Sequence, residues 1–174
     1  WNLVFMQFDL QPGGKVGRLP APSVDTGAGL ERVTAVLQGV RSNFDTDLFQ
    51  PIIRSVAAEA GVAYGAGGEG DVSLRVIADH LRAIAFLVAE GIIPGPEKRG
   101  AVLRRIMRRA MRHGRLLGAP SPFLWRHLED VASVLGEQYP ELREHLGTMQ
   151  KVVRREEERF DRTLADGFAL LDAR

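Results

Sequence analysis

The sequence contains no cysteine. Disulfides and thiolate zinc sites are therefore excluded, and a reducing compartment suits the chain. No apolar run reaches the roughly 18–20 residues that a membrane-spanning helix needs. No basic segment near the start leads into an apolar one, so no signal peptide is visible and a cytoplasmic location is expected. Only four histidines are present, His80, His113, His127 and His145, too scattered to suggest a metal site. Net charge is also nearly absent, at +1, but its distribution is uneven. From Lys98 to Arg115 there are eight Lys and Arg residues and no acidic one. Acidic residues gather instead at Glu156-Glu157-Glu158 and around Glu141 and Glu144. Such asymmetry, more than the total, marks a surface for a polyanion.

What remains is a globular composition: 45% hydrophobic and 26% charged over 174 residues, enough for one core or two small ones. The segment Ser23-Val24-Asp25-Thr26-Gly27-Ala28-Gly29-Leu30-Glu31-Arg32 reads as a strand end, a glycine turn and a helix start. Val24 has the β-branched apolar character of a buried strand residue. Gly27 and Gly29 permit a sharp turn and a close approach to a ligand. Leu30, Val33 and Leu37 have helical spacing, which predicts a helix to Gln38. Arg32 falls in its first turn, where a cation opposes the helix dipole and calls for a compensating partner. A phosphate meets that need, since guanidinium pairs with it in two-pronged geometry. A surface arginine on an ordinary strand–turn–helix is the other reading.

The pattern predicts an α+β fold, mostly α. Trp1–Phe8 reads as a buried strand, 11–14 as a turn, and Val16–Leu19 as a short return strand. Pro20-Ala21-Pro22 then leads into the Val24 strand. These strands and one helix make the edge of an antiparallel sheet, too few strands for a complete domain. The rest is a helical bundle. Asp47 is a candidate cap for a helix from Leu48 to about Ala60, followed by a glycine-rich loop over 61–70. Ser73 is a candidate cap for a helix over Leu74–Glu90, stopped by Gly91. Helices are further expected over Lys98–Leu117, from Pro122 to Leu135, and from Pro140 to the C-terminus. The last would be roughly 50 Å long. Its near-heptad seam, Leu142, Leu146, Met149, Val153, Phe160, Leu164 and Leu171, fits an intramolecular bundle. Glu156–Glu158 interrupts the seam and reads as a solvated face. The expected division is 1–40 and 41–174.

The Lys98–Leu117 helix has Val102, Leu103, Ile106, Met107, Ala110 and Leu117 on one arc. Arg104, Arg105, Arg108, Arg109, Arg112 and Arg115 lie on the other. Guanidinium groups so grouped repel unless anions or carboxylates neutralise them. Two arrangements are open: pairing with Glu and Asp of neighbouring helices, or contact with a phosphate backbone.

The order of segments Asn2-Leu3-Val4-Phe5, Asp25-Thr26-Gly27-Ala28-Gly29-Leu30-Glu31-Arg32, Asn43-Phe44-Asp45-Thr46-Asp47, Asp79-His80-Leu81-Arg82 and Arg99-Gly100-Ala101-Val102-Leu103-Arg104-Arg105 resembles the alanyl-tRNA synthetase family over essentially the whole chain. The resemblance implies the end of a class II aminoacylation domain over 1–40, with the third class II motif ending at Arg32, and a helical tRNA-recognition domain over 41–174. The other two motifs would lie upstream and an editing domain downstream. The parent would then be a ligase using ATP and magnesium, and this part alone would be inactive.

By that resemblance Arg32 and Gly29 belong to the ATP site. Asp25 pairs with the amino group of alanine, and Gly27, Val4 and Asn2 line the small side-chain pocket. A pocket for a methyl group cannot strongly exclude glycine or serine, because one small group supplies only about 1–3 kcal/mol. The helical part would meet the acceptor stem of alanine tRNA and its G·U pair. Asp172 corresponds to an aspartate beside that pair. Pro96 stands where the family carries an asparagine, which leaves Lys98 and Arg99 as neighbouring donors. Arg104, Arg105, Arg108, Arg109 and Arg112 are the candidate phosphate contacts. A non-catalytic RNA-binding module and a structural helical protein are the alternatives from other classes.

Overall fold

The computed structural model describes residues 2–172, with side chains through residue 170. The chain divides into two compact units, residues 1–46 and 47–174.

The first unit is an antiparallel hairpin and a short helix. Strand β1 (Asn2–Leu10) pairs with β2 (Val16–Gly27). The turn between them closes through Gly14 N–H to Gln11 O at 3.1 Å, with Gly13 and Gly14 at positive φ. Instead of two short strands separated by prolines, 16–27 forms one strand. The register explains how: Met6 faces Ser23 and Phe8 faces Arg18, so Gln7 alone opposes residues 19–22. Pro20 and Pro22 thus sit in a bulge, where no ladder N–H is required of them. The expectation of buried strands fails. Every residue of β1 is exposed, and so is Val24, because a two-stranded ribbon leaves both faces open. Helix α1 (Leu30–Leu37) follows, with Ala35 its one buried residue. A 3-10 turn at Asn43–Asp45 is capped by Ser42, whose Oγ accepts from Phe44 N–H at 3.2 Å.

The second unit is helical: α2 (Gln50–Ala60), α3 (Glu69–Ala89), α4 (Lys98–Leu116), α5 (Leu128–Leu135), α6 (Glu141–Glu144) and α7 (Leu146–Asp172). Helix α3 is central, packed by α2, α4, α5, α6 and α7. Ile52, Ile53, Leu74, Ile77, Leu81, Ile84, Leu103, Met107, Leu124, Leu128, Leu142 and Met149 are fully buried and form its core. Each such side chain contributes about 1.5–3 kcal/mol by leaving water.

Several helix starts differ from expectation. Helix α2 begins at Gln50, with Phe49 rather than Asp47 at its N-cap and Pro51 in its first turn. Helix α3 begins at Glu69, so Ser73 lies inside it and is buried. Asp71 reaches back instead, accepting N–H bonds from Gly65 at 2.9 Å and Gly67 at 3.0 Å. Those bonds order the glycine loop onto the helix and extend the helix start past Ser73. Pro122 does not open α5. The stretch after it gives its N–H groups to another helix: Phe123 and Leu124 donate to Glu157 Oε1 at 3.0 and 2.8 Å, and Trp125 to Oε2 at 3.0 Å. The helix expected from Pro140 breaks at His145, leaving α7 with 27 residues, about 40 Å.

Gly114 of α4 is where α4 meets the 122–127 segment. A Cβ there would overlap the Phe123 ring, which is itself 2% exposed. Gly114→Ala is therefore expected to destabilise the second unit by about 1–3 kcal/mol despite alanine's better helix propensity. A urea midpoint equal to or above the parent's would refute this packing.

Candidate nucleic-acid interface

The arginine arc of α4 splits into two stripes. Arg104, Arg108 and Arg115 turn toward α7. Arg104 Nε lies 3.2 Å from Glu156 Oε1, and Arg108 Nη2 lies 3.0 Å from the same oxygen. Arg115 Nη2 lies 2.9 Å from Asp161 Oδ1. Arg105, Arg109 and Arg112, at helical steps of four and three, form the outer stripe and are exposed. None of these three has an ion pair or hydrogen bond among the described residues. So both arrangements left open by the sequence occur on one helix.

The acidic run Glu156–Glu158 is correspondingly not a solvated face. Glu156 is 4% exposed and Glu157 1%, and only Glu158 faces solvent, with Arg154 at 2.9 Å. A carboxylate survives such burial only when paired or hydrogen-bonded. Glu156 has its arginines, and Glu157 has its three backbone N–H donors. Burial pushes the Glu157 carboxyl up to about 7, against the lowering effect of those N–H bonds and with Asp161 adding to the rise.

The outer stripe leaves its positive charge exposed. Burial first, then Arg109, Arg112 and His80, pushes the His113 imidazole below its ordinary value. Its Nδ1 meets Ser73 Oγ at 3.0 Å, tying α3 to α4. On the neighbouring turn of α3, the hydrogen bond from His80 holds the Asp79 carboxyl low, with Arg82 and Arg109 contributing. That shift favours the neutral imidazole, so the arginines carry the charge of this stripe.

Lys98 and Arg99 are exposed where α4 begins, and Lys98 has φ +50°. They border a cleft of about 420 Å³ formed with Glu90, Ile93, Gly95 and Pro96. Gly100 fits this turn because a Cβ would come within 2.6 Å of Ile93 O. Arg104 Nη2 also donates to Pro94 O at 3.4 Å, at the edge of hydrogen-bond reach. Asp172 ends α7, and its side chain lies outside the described residues.

In the first unit the register brings four candidates together. Asn2 opposes Gly27, and Val4 opposes Asp25. Directly opposed residues share a face, and so do alternate ones, so all four lie on one face at one end of the hairpin. A Cβ on Gly27 would come within 2.7 Å of Asn2 Oδ1, so glycine keeps that corner open. Asp25 is exposed, and its Oδ1 accepts from Thr26 N–H at 2.8 Å. Gly29 is the N-cap of α1, and Arg32 is exposed in the first turn. No described group of three or more His, Asp or Glu residues is arranged to hold a metal ion. Among the described residues no helix is long and apolar enough to cross a membrane.

Sequence periodicity placed Phe160 and Leu164 in a buried seam. Among the apolar residues of that seam, full burial ends at Val153. Phe160 and Leu164 are half-buried and, with exposed Phe168, floor a groove beside α4. The spacing of four between these residues was visible in the sequence, but not which neighbour they would lack.

A family model of the tRNA synthetases class II (A) matches residues 1–174. The chain is 55% identical over 172 residues to an alanine–tRNA ligase of Nitratidesulfovibrio vulgaris, covering 99% of this chain and 20% of that protein. It is 53% identical over 172 residues to one of Thermotoga maritima, with 99% and 20% covered. With one of an Anaeromyxobacter species it shares 56% over 173 residues, covering 99% and 19%. The chain thus spans about a fifth of the length of these relatives. With its entire length matched by the family model and by relatives above half identity, the chain belongs to the class II (A) tRNA synthetase family.

Proposed function

We propose that this chain is the part of an alanine–tRNA ligase that borders the alanine and ATP pocket and grips the tRNA acceptor stem, working in the cytoplasm. The observation that carries the RNA part is the outer stripe of α4. Arg105, Arg109 and Arg112 are exposed and make no ion pair among the described residues, which leaves them for phosphates. Lys98 and Arg99 extend the cationic surface to the 94–100 turn, and Asp172 is assigned to the G·U pair by the family resemblance. An acidic acceptor there takes a hydrogen bond from the guanine amino group in the shallow groove of A-form RNA. Arg104 and Arg108 face the same stem less directly, since Glu156 already binds both.

In the first unit Asp25 receives the ammonium of alanine. Asn2, Val4 and Gly27 bound the space for its methyl group, and their sharing one face of the hairpin supports this. Arg32 and the backbone at Gly29 take the ATP phosphates. Guanidinium geometry and the free N–H groups of the first helical turn both suit an anion. ATP, when bound, supplies the pyrophosphate leaving group for activation of the alanine carboxylate. The residues here orient the amino acid and neutralise phosphate charge.

The test is binding of the 174-residue chain to an alanine-tRNA acceptor-stem hairpin at several salt concentrations, with the G·U pair intact or replaced by G·C. The expected result is tighter binding to G·U by about fivefold or more, with affinity falling steeply as salt rises. Salt-sensitive binding indifferent to the pair would reduce the chain to a generic RNA surface. No binding at all would return the arginines to a structural role.

A further inference from the structure

The groove between α4 and the last turns of α7 has a volume of about 480 Å³ and is lined by Arg108, Arg109, Arg112, Arg115, Phe160, Leu164 and Phe168. Its floor is apolar: residues 160, 164 and 168 recur at steps of four, so they stack along one face of α7 over about 12 Å. Its wall is four guanidinium groups. Two of them are pinned. Arg108 is bonded to Glu156 and lies 5.0 Å from the centre of the Phe160 ring, and Arg115 is bonded to Asp161. The other two, Arg109 and Arg112, have no ion pair or hydrogen bond among the described residues. The pinned pair fixes the shape of the wall and the unpaired pair leaves charge to be neutralised.

A duplex uses only half of this arrangement. Its phosphates satisfy Arg109 and Arg112, but its bases are stacked and paired and cannot reach an apolar floor. A bare phosphate leaves Phe168, 56% exposed, in water. An unpaired nucleotide uses both halves, its base on the aromatic floor and its flanking phosphates on the two free arginines. We propose that the α4–α7 groove is a binding site for an unstacked nucleotide of single-stranded RNA. The inference rests on the RNA reading above and adds a single-strand site to its duplex surface.

Two probes test it on the full chain: a labelled six-nucleotide single-stranded RNA, and a blunt RNA duplex without overhangs. Phe168→Ala is expected to weaken single-strand binding by about fivefold or more and to leave duplex binding within about twofold. Its exposure makes the variant easy to fold, which circular dichroism checks. In the same single strand carrying 2-aminopurine, fluorescence should rise on binding to the parent, as the base leaves its neighbours, and not on binding to the variant. Unchanged single-strand affinity in Phe168→Ala, with Arg109→Ala and Arg112→Ala weakening both probes, overturns the groove site while sparing the RNA surface. Failure of both probes to bind overturns both readings. Binding of an acidic, leucine-rich helical peptide that Phe168→Ala abolishes, with no single-strand binding, assigns the groove to a protein partner and overturns the proposal.

Discussion

Glu157→Ala is expected to lower the unfolding free energy by about 3 kcal/mol or more, because it orphans three backbone N–H groups at once. Phe123 and Leu124 are 2% and 0% exposed, so water does not replace the lost carboxylate at their N–H groups. Each orphaned buried donor costs about 1–3 kcal/mol. The lost contacts join α7 to the segment before α5, so the effect should appear as loss of cooperative unfolding in the helical unit. Urea unfolding followed by tryptophan fluorescence measures it, with Trp125 beside the lesion. A loss below about 1 kcal/mol would mean that the segment finds other acceptors.

The same residue gives a pH signature. The folded carboxyl titrates at about 7 against 4.5 for the unfolded chain. A raised folded value means that the native state holds the proton more tightly. This contribution is therefore fully present below pH 4.5 and is lost as pH rises toward and through 7. Glu157→Gln, which resembles the protonated side chain, should flatten stability in that window. A variant that keeps the parent's slope between pH 4.5 and 7 would place the titration elsewhere.

The second large effect is on RNA. Replacing Arg105, Arg109 and Arg112 together by alanine should reduce acceptor-stem affinity more than tenfold at moderate salt. It should also lower the slope of log affinity against log salt by about two to three, since each phosphate contact contributes roughly 0.7–0.9. Arg104→Ala should act differently. Its guanidinium is bound to Glu156, so its removal leaves one fewer partner for a buried carboxylate and shows first in stability. A triple variant that retains the parent's salt slope would refute the outer stripe as the phosphate surface.

The two stripes show where sequence reading stops. Six arginines on one arc follow from helical periodicity alone. Which of them meet carboxylates depends on the approach of α7, from Glu156 and Asp161 far along the chain. Glu156 and Glu157 read as solvated for the same reason. A charge run has no local mark that distinguishes water from a buried partner. Ser73 failed as a cap because Asp71, two residues earlier, reaches two loop N–H groups of the glycine segment. Pro20 and Pro22 failed to break the strand because the bulge opposite Gln7 absorbed them.

By itself the sequence determined the mixed class with its helical majority, the helix of arginines, the glycine turn leading to Arg32, and the family, through ordered motifs that survive without any coordinates. These are local or linear properties: periodicity, turn chemistry and motif order. Only the tertiary structure decided that Asn2, Val4, Asp25 and Gly27 share one face, that Glu156 and Glu157 are buried, and that Phe160, Leu164 and Phe168 open onto arginines. Each of these depends on register or on packing between distant segments. There the energy of a side chain is set by which neighbour arrives, and not by the residues beside it in the chain.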